Sequence, residues 1–184
     1  LPIIKATILH VPVIIASVIL GPWRGGFLGF VFGLISLWKN TMAPSLLSFA
    51  FSPLVPLPGE SHGSAWALFI CFVPRILVGI VPWFVLKLAE KIPGNKTLLR
   101  AVGCVAAGAV GAALNTGLVM GTMNLVLSDA FAAAQGISRE LVSGAILTIV
   151  FANGIPEAVA AAVITPAVCL ALWKALGKIL PQKS

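Results

Sequence analysis

Three stretches of the chain, residues 65–86, 98–127 and 141–172, hold one charged side chain each: Arg75, Arg100 and Glu157. Each exceeds the roughly 20 apolar residues that an α-helix needs to cross a bilayer. Inside lipid a segment must satisfy every backbone N–H and C=O within itself or its own sheet, and runs of this length do so as helices. An all-α integral membrane protein follows, with residues 1–184 as one membrane domain. Composition agrees. Hydrophobic residues make up 59% of the chain and charged residues 9%, whereas a soluble domain carries about 25% charged residues. The mean hydropathy is +1.08.

Two further apolar stretches, about 6–20 and 27–38, are short for a span and are expected to be tilted, irregular or partly re-entrant. Gly21-Pro22-Trp23-Arg24-Gly25-Gly26 reads as a tight turn between them. Residues 39–64 form the longest loop, because Pro44, Pro53, Pro56 and Pro58 with Gly59 and Gly63 forbid a continuous helix. The segment 91–96 ends the third helix. Residues 128–138 separate the last two, with Ser138 placed to cap the helix that follows.

The basic residues orient these helices. Arg24, Lys87, Lys91, Lys96, Arg100, Lys174, Lys178 and Lys183 fall on one side, while Lys5, Lys39 and Arg139 fall on the other. By the positive-inside rule the first set is cytoplasmic and the 39–64 loop is outside. Trp23, Trp83 and Trp173 then lie near the inner interface, Trp38 and Trp66 near the outer one. Leu1 falls outside, so a sixth helix is expected ahead of it. Asn95-Lys96-Thr97 matches a glycosylation acceptor but lies on the cytoplasmic side in this topology.

The net charge of +7 does not indicate nucleic acid, since the cations sit in clusters between apolar runs and no basic stripe alternates with stacking aromatics. Cys71, Cys104 and Cys169 lie within apolar runs without metal-ligand spacing and read as small hydrophobes. There is no Walker A sequence, HExxH or GxSxG. The five acids and two histidines offer no catalytic constellation or metal site, so an enzyme is not expected.

Helices gain no hydrophobic drive from lipid and associate partly through small residues. Gly25, Gly29 and Gly33 recur at every fourth position, as do Ala107 and Gly111, and Gly117 and Gly121. These stripes serve either packing inside the protein or docking of a partner helix.

An ionisable residue within a span marks a functional site by default. Arg75 lies about 15 Å into its helix and Glu157 roughly 25 Å into the last one, at 1.5 Å per residue from the outer side. Asn115-Thr116 and Asn153 supply polar groups nearby, and Asn153 and Glu157 share a helix face. Pro156 frees a carbonyl in the same region. Arg75 either forks onto an anionic ligand or pairs with Glu157 to hold two helices together. His10, Lys5, Lys39 and Asn40 lie at the outer mouth, where the lysines either draw an anion inwards or anchor the interface.

The opening "LPIIKATILHVPVIIASVILGPWRGGFLGFVFGLISLWKNT", with "FVPRILVGIV", "LNTGLVMG" and "NGIPEAVAAAVITPAV", resembles the substrate-binding S components of energy-coupling factor (ECF) vitamin transporters. The motifs resemble most the group that binds pantothenate, folate or cobalamin. The resemblance implies a six-helix bundle with both termini cytoplasmic, its first helix absent from this chain. It implies a prokaryotic plasma-membrane protein that captures a vitamin outside, beneath the loops. It also implies docking on a module of one transmembrane coupling subunit (the T component) and two ABC ATPases, which use ATP and Mg while this chain holds no cofactor. Within the group pantothenate is favoured, because a small carboxylate with hydroxyl and amide groups suits Arg75, Asn115 and Asn153. The absence of tyrosine argues against folate. The alternatives of another class are a self-sufficient secondary transporter and a membrane structural subunit with no ligand.

Overall fold

The computed structural model describes residues 9–179. The described residues form a helical bundle: α1 (His10–Leu20), α2 (Pro22–Met42), α3 (Trp66–Glu90), α4 (Lys96–Val126), α5 (Ser128–Gln135), α6 (Arg139–Ile149) and α7 (Ile155–Ile179). A 3-10 turn, Ser48–Ala50, interrupts the long loop, and a π-helical turn, Val150–Gly154, joins α6 to α7. Among the described residues three segments are long and apolar enough to cross a membrane: α3, α4, and the continuous run Arg139–Ala175.

The second helix is longer than the apolar stretch 27–38 suggested. It starts at Pro22, so the expected turn at 21–26 shrinks to Gly21, whose φ is 93°. Proline suits the first helical position, where its missing N–H has no partner to lose. Gly25 and Gly26 stay helical because α3 packs against them, which outweighs glycine's low helix propensity. The helix also runs on through Lys39–Met42, so the loop begins at Ala43 rather than residue 39. The connection at 128–138 contains α5, closed by Gly136 in the left-handed conformation with φ 65°. Residues 141–172 are not one regular helix, since the π turn divides them. The stretch expected at 6–20 is described from Leu9 onward; Lys5 lies outside the described residues, as does Lys183.

Small residues let the helix backbones touch. A Cβ on Gly25 would lie 2.1 Å from the Gly79 carbonyl oxygen, and one on Gly29 would lie 2.2 Å from that of Arg75. Gly33 sits less tightly, a Cβ there lying 2.8 Å from the Phe72 ring and 2.9 Å from the Cys71 carbonyl oxygen, and the Cys71 thiol donates to the Gly33 carbonyl at 3.2 Å. On α4, Gly108 meets the Ala161 backbone of α7 and Gly111 meets Ile14 of α1, while Ala107 is fully buried. The stripes at Gly25, Gly29 and Gly33 and at Ala107 and Gly111 are therefore occupied by the protein's own helices. Gly117 and Gly121 have nothing within 4 Å of a Cβ.

Three apolar clusters follow the bundle axis. One, around Val18, Leu86, Cys104 and Cys169, lies toward the Glu90 end; a middle one surrounds Ile14, Val78 and Ala161. The third joins α3, α4, α5 and α6 to the long loop through Phe49, Ile70, Met123, Phe131 and Ile146. At the Glu90 end the carboxylate accepts from Lys87 at 2.7 Å and Arg100 at 2.9 Å, and Arg100 lies over the Trp173 ring, which ties α3, α4 and α7 together. Asn95 caps α4, its side-chain oxygen accepting from the backbone N–H of Thr97 at 3.0 Å and Leu98 at 3.3 Å. Ser138 occupies the cap position of α6 without a side-chain hydrogen bond.

Candidate functional site

At the other end of the bundle the helices enclose a cavity of about 320 Å³. The packing just described creates it. The glycine face of α2 seats that helix on α3 and brings Ser36, Lys39 and Asn40 beside Arg75. The Gly108–Ala161 contact seats α7 on α4 and sets Asn153 and Glu157 across from Asn115 and Thr116. His10 enters from the start of α1. Arg75, Asn115, Asn153, Lys39, Asn40, His10 and Glu157 all line this one space.

Arg75 is 7% exposed. Its Nη1 donates to the Ile70 carbonyl oxygen. That carbonyl is the one a helix would pair with the N–H of residue 74, and residue 74 is proline, which has no N–H to give. The arginine thus occupies an acceptor that its neighbour vacates. The guanidinium carbon lies 5.2 Å from the Phe51 ring centroid and 5.8 Å from that of Phe32, within the range of cation–π attraction. Arg75 Nε is buried without a hydrogen-bond partner. Arg75 and Glu157 line the same cavity, Arg75 donating to the Ile70 carbonyl and Glu157 accepting from Thr116.

The α4–α7 wall offers acceptors. Asn115 Oδ1 and Asn153 Oδ1 are buried and unpartnered. Thr116 Oγ1 donates to Glu157 Oε2 at 3.5 Å. Asn153 belongs to the π turn, and Gly154 beside it allows the close approach of Thr116, whose Cγ2 would stand 3.0 Å from a Cβ there. Buried polar groups are normally satisfied, and such groups left open around one cavity suit a polar ligand.

The long loop closes the space. Asn40 Nδ2 donates to the Ser36 carbonyl at 2.8 Å, and its Oδ1 accepts from Ser48 Oγ at 2.7 Å. Thr41 and Ser52 share a hydrogen bond of 2.7 Å. These bonds hold the segment that places Phe51 over the arginine. Asn40, expected as a ligand contact, therefore spends its side-chain oxygen on the loop. Phe51, Phe32 and Ser36 were not singled out from the sequence. Phe51 lies in a proline-rich loop, and nothing local marks a phenylalanine there as returning to an arginine 24 positions later.

Residues 1–169 match the family model of the ECF transporter, substrate-specific component. The chain belongs to this family. The S component is a membrane transporter subunit that recognises substrate, and it is not an enzyme. Among similar proteins, the pantothenic acid transporter PanT of Lactococcus lactis subsp. cremoris is 42% identical over 172 residues, covering 94% of this chain and 80% of that protein. The pantothenate transporter PanT of Leuconostoc mesenteroides subsp. mesenteroides is 30% identical over 168 residues, covering 89% of this chain and 73% of its own length.

Proposed function

We propose that this S component captures pantothenate in the Arg75 cavity and delivers it by docking on a separate ATP-driven module of one T component and two ATPases. The observation that carries the reading is the set of open polar atoms: one cationic N–H on Arg75 and two amide carbonyls, on Asn115 and Asn153, around a single space. Pantothenate has a carboxylate to accept from the arginine, and hydroxyl and amide N–H groups to donate to the carbonyls. The volume supports a small ligand, since it lies near the lower end of the roughly 300–1,000 Å³ usual for small-molecule pockets. Cobalamin needs far more room. Both relatives named above carry the same vitamin in their names. The bias of basic residues towards the Glu90 end favours a cavity that opens outside the cell, with Lys39 at its rim.

Thermal melting of the purified protein against pantothenate, folate, cobalamin and other vitamins tests the reading. A ligand that binds only the folded state raises the melting point, by an amount that grows with its concentration. Stabilisation by pantothenate alone is expected. Stabilisation by another vitamin, with none by pantothenate, would replace it. Docking is checked separately, by co-purification with a T component and its ATPases.

A further inference from the structure

Beside its polar atoms the cavity has an apolar part, in which Val119, Met120 and Ile149 stand together. Val119 lies four residues beyond Asn115 on α4, one turn farther along the same helix face. Ile149 closes α6, four residues ahead of Asn153, so it too stands about one turn from its amide. Both steps lead the same way, toward the apolar cluster of Phe49, Ile70, Met123 and Ile146. Val119 belongs to that cluster, and Met120 and Ile149 pack against it while also facing the cavity. The three form a shelf, backed by close-packed side chains, one turn away from two open amide carbonyls. Close packing behind a wall keeps it from receding to suit a ligand. A shelf of this kind fits an alkyl branch carried next to a hydrogen-bond donor.

We propose that Val119, Met120 and Ile149 form a subsite for a doubly branched alkyl centre, and that this subsite selects pantothenate over an unbranched hydroxy acid of the same polarity. The proposal rests on the pantothenate reading and deepens it. Pantothenate carries two methyl groups on the carbon that lies between its two hydroxyl-bearing carbons. A hydroxyl that donates to the Asn115 or Asn153 carbonyl holds those methyls within about one helix turn, roughly 5 Å, of the acceptor, which is where the shelf stands. The carboxylate, at the far end of the molecule, is left to reach Arg75. A ligand without the methyls makes the same hydrogen bonds but leaves the shelf uncovered. Burying one methylene equivalent changes affinity by about fourfold, so the pair of methyls decides about 15-fold.

The test is equilibrium binding of three ligands to the purified full chain: pantothenate, its analogue with both methyls replaced by hydrogen, and its analogue with both enlarged to ethyl. Wild-type protein should bind the methyl-free analogue about 15-fold weaker than pantothenate. It should bind the diethyl analogue at least about tenfold weaker, because the backed shelf leaves no room for the extra carbons. Ile149→Ala and Met120→Ala each remove volume from a partly buried side chain of the shelf. Either variant should bring the diethyl analogue to within a few-fold of pantothenate and shrink the penalty for losing the methyls. Branching also changes the ligand's own shape in solution, but that effect is the same for every variant, so the change between variants reports contact with the wall. If the wild type holds the methyl-free analogue as tightly as pantothenate, the shelf reads nothing and the proposal falls, whether or not the variants fold. Both gaps unchanged in the folded variants would overturn it too, while leaving pantothenate as the ligand. Failure of the wild type to bind pantothenate at all would instead remove the reading beneath it.

Discussion

Arg75 donates to the carbonyl of Ile70, the acceptor left open one turn earlier by Pro74. The adjacent pair Pro74-Arg75 therefore works as a unit: the proline removes a helix hydrogen bond, and the arginine replaces it from the side chain. A guanidinium tethered in this way enters the cavity in one orientation, with less freedom to lose when a ligand arrives. Pro74→Ala restores a backbone N–H that competes for Ile70. We expect pantothenate binding to weaken by about tenfold, the order of one charge-assisted hydrogen bond. The ligand-free melting temperature should hold or rise. Calorimetric titration alongside thermal melting separates the two effects.

Arg75→Ala should weaken binding of pantothenate by about 100-fold, equivalent to roughly 3 kcal/mol, the upper range for a hydrogen bond to a charged group. The amide analogue, which has no carboxylate, should lose little. Competition between the two ligands measures the difference directly. Equal losses for both would show that the arginine shapes the cavity rather than reading the carboxylate.

Two glycines give opposite expectations for the same substitution. Gly29→Ala drives a methyl group to 2.2 Å from the Arg75 carbonyl oxygen, so α2 must move off α3. Overpacking of this kind costs about 1–3 kcal/mol or more. Melting temperature should fall, and ligand binding with it. Gly117→Ala enters open space on α4 and gains up to about 1 kcal/mol of helix propensity. A melting comparison of the two variants in detergent and in lipid nanodiscs checks both.

Ser48→Ala removes the bond that pins the long loop to Asn40. The loss should be about 1 kcal/mol and local to the loop. Amide exchange at Phe49–Ser52 should accelerate while α4 stays protected. Because this segment places Phe51 over Arg75, pantothenate binding should also weaken, by a few-fold.

The legible part of this protein was the part on which lipid acts most harshly. Charged and amide groups inside apolar runs are costly, so Arg75, Asn115, Asn153 and Glu157 stood out against their surroundings, and the structure gathers them around one cavity. Contacts that depend on chain return were not legible. Phe51 reaches Arg75 through a loop without periodicity, and the Ile70 carbonyl becomes an acceptor only because of a missing proline N–H. The helical state of Pro22–Gly26 depends on α3 lying against it, which no local propensity records. Asn95 reads as a glycosylation acceptor by pattern, yet its side chain caps α4.

The π turn at Val150–Gly154 bears on how such a protein diversifies. A π turn closes i→i+5, so it carries one residue more than the α-helical turn it replaces. Deleting one residue there, Phe151 for example, lets 139–179 close as regular α-helix, and the membrane span survives. Because the π turn absorbs its extra residue locally, α6 and α7 would keep close to their present orientation, and the side chains of the turn, Asn153 among them, would be re-aimed. One residue gained or lost at this point thus redraws the Asn153 side of the cavity while α3, α4 and α7 keep their packing.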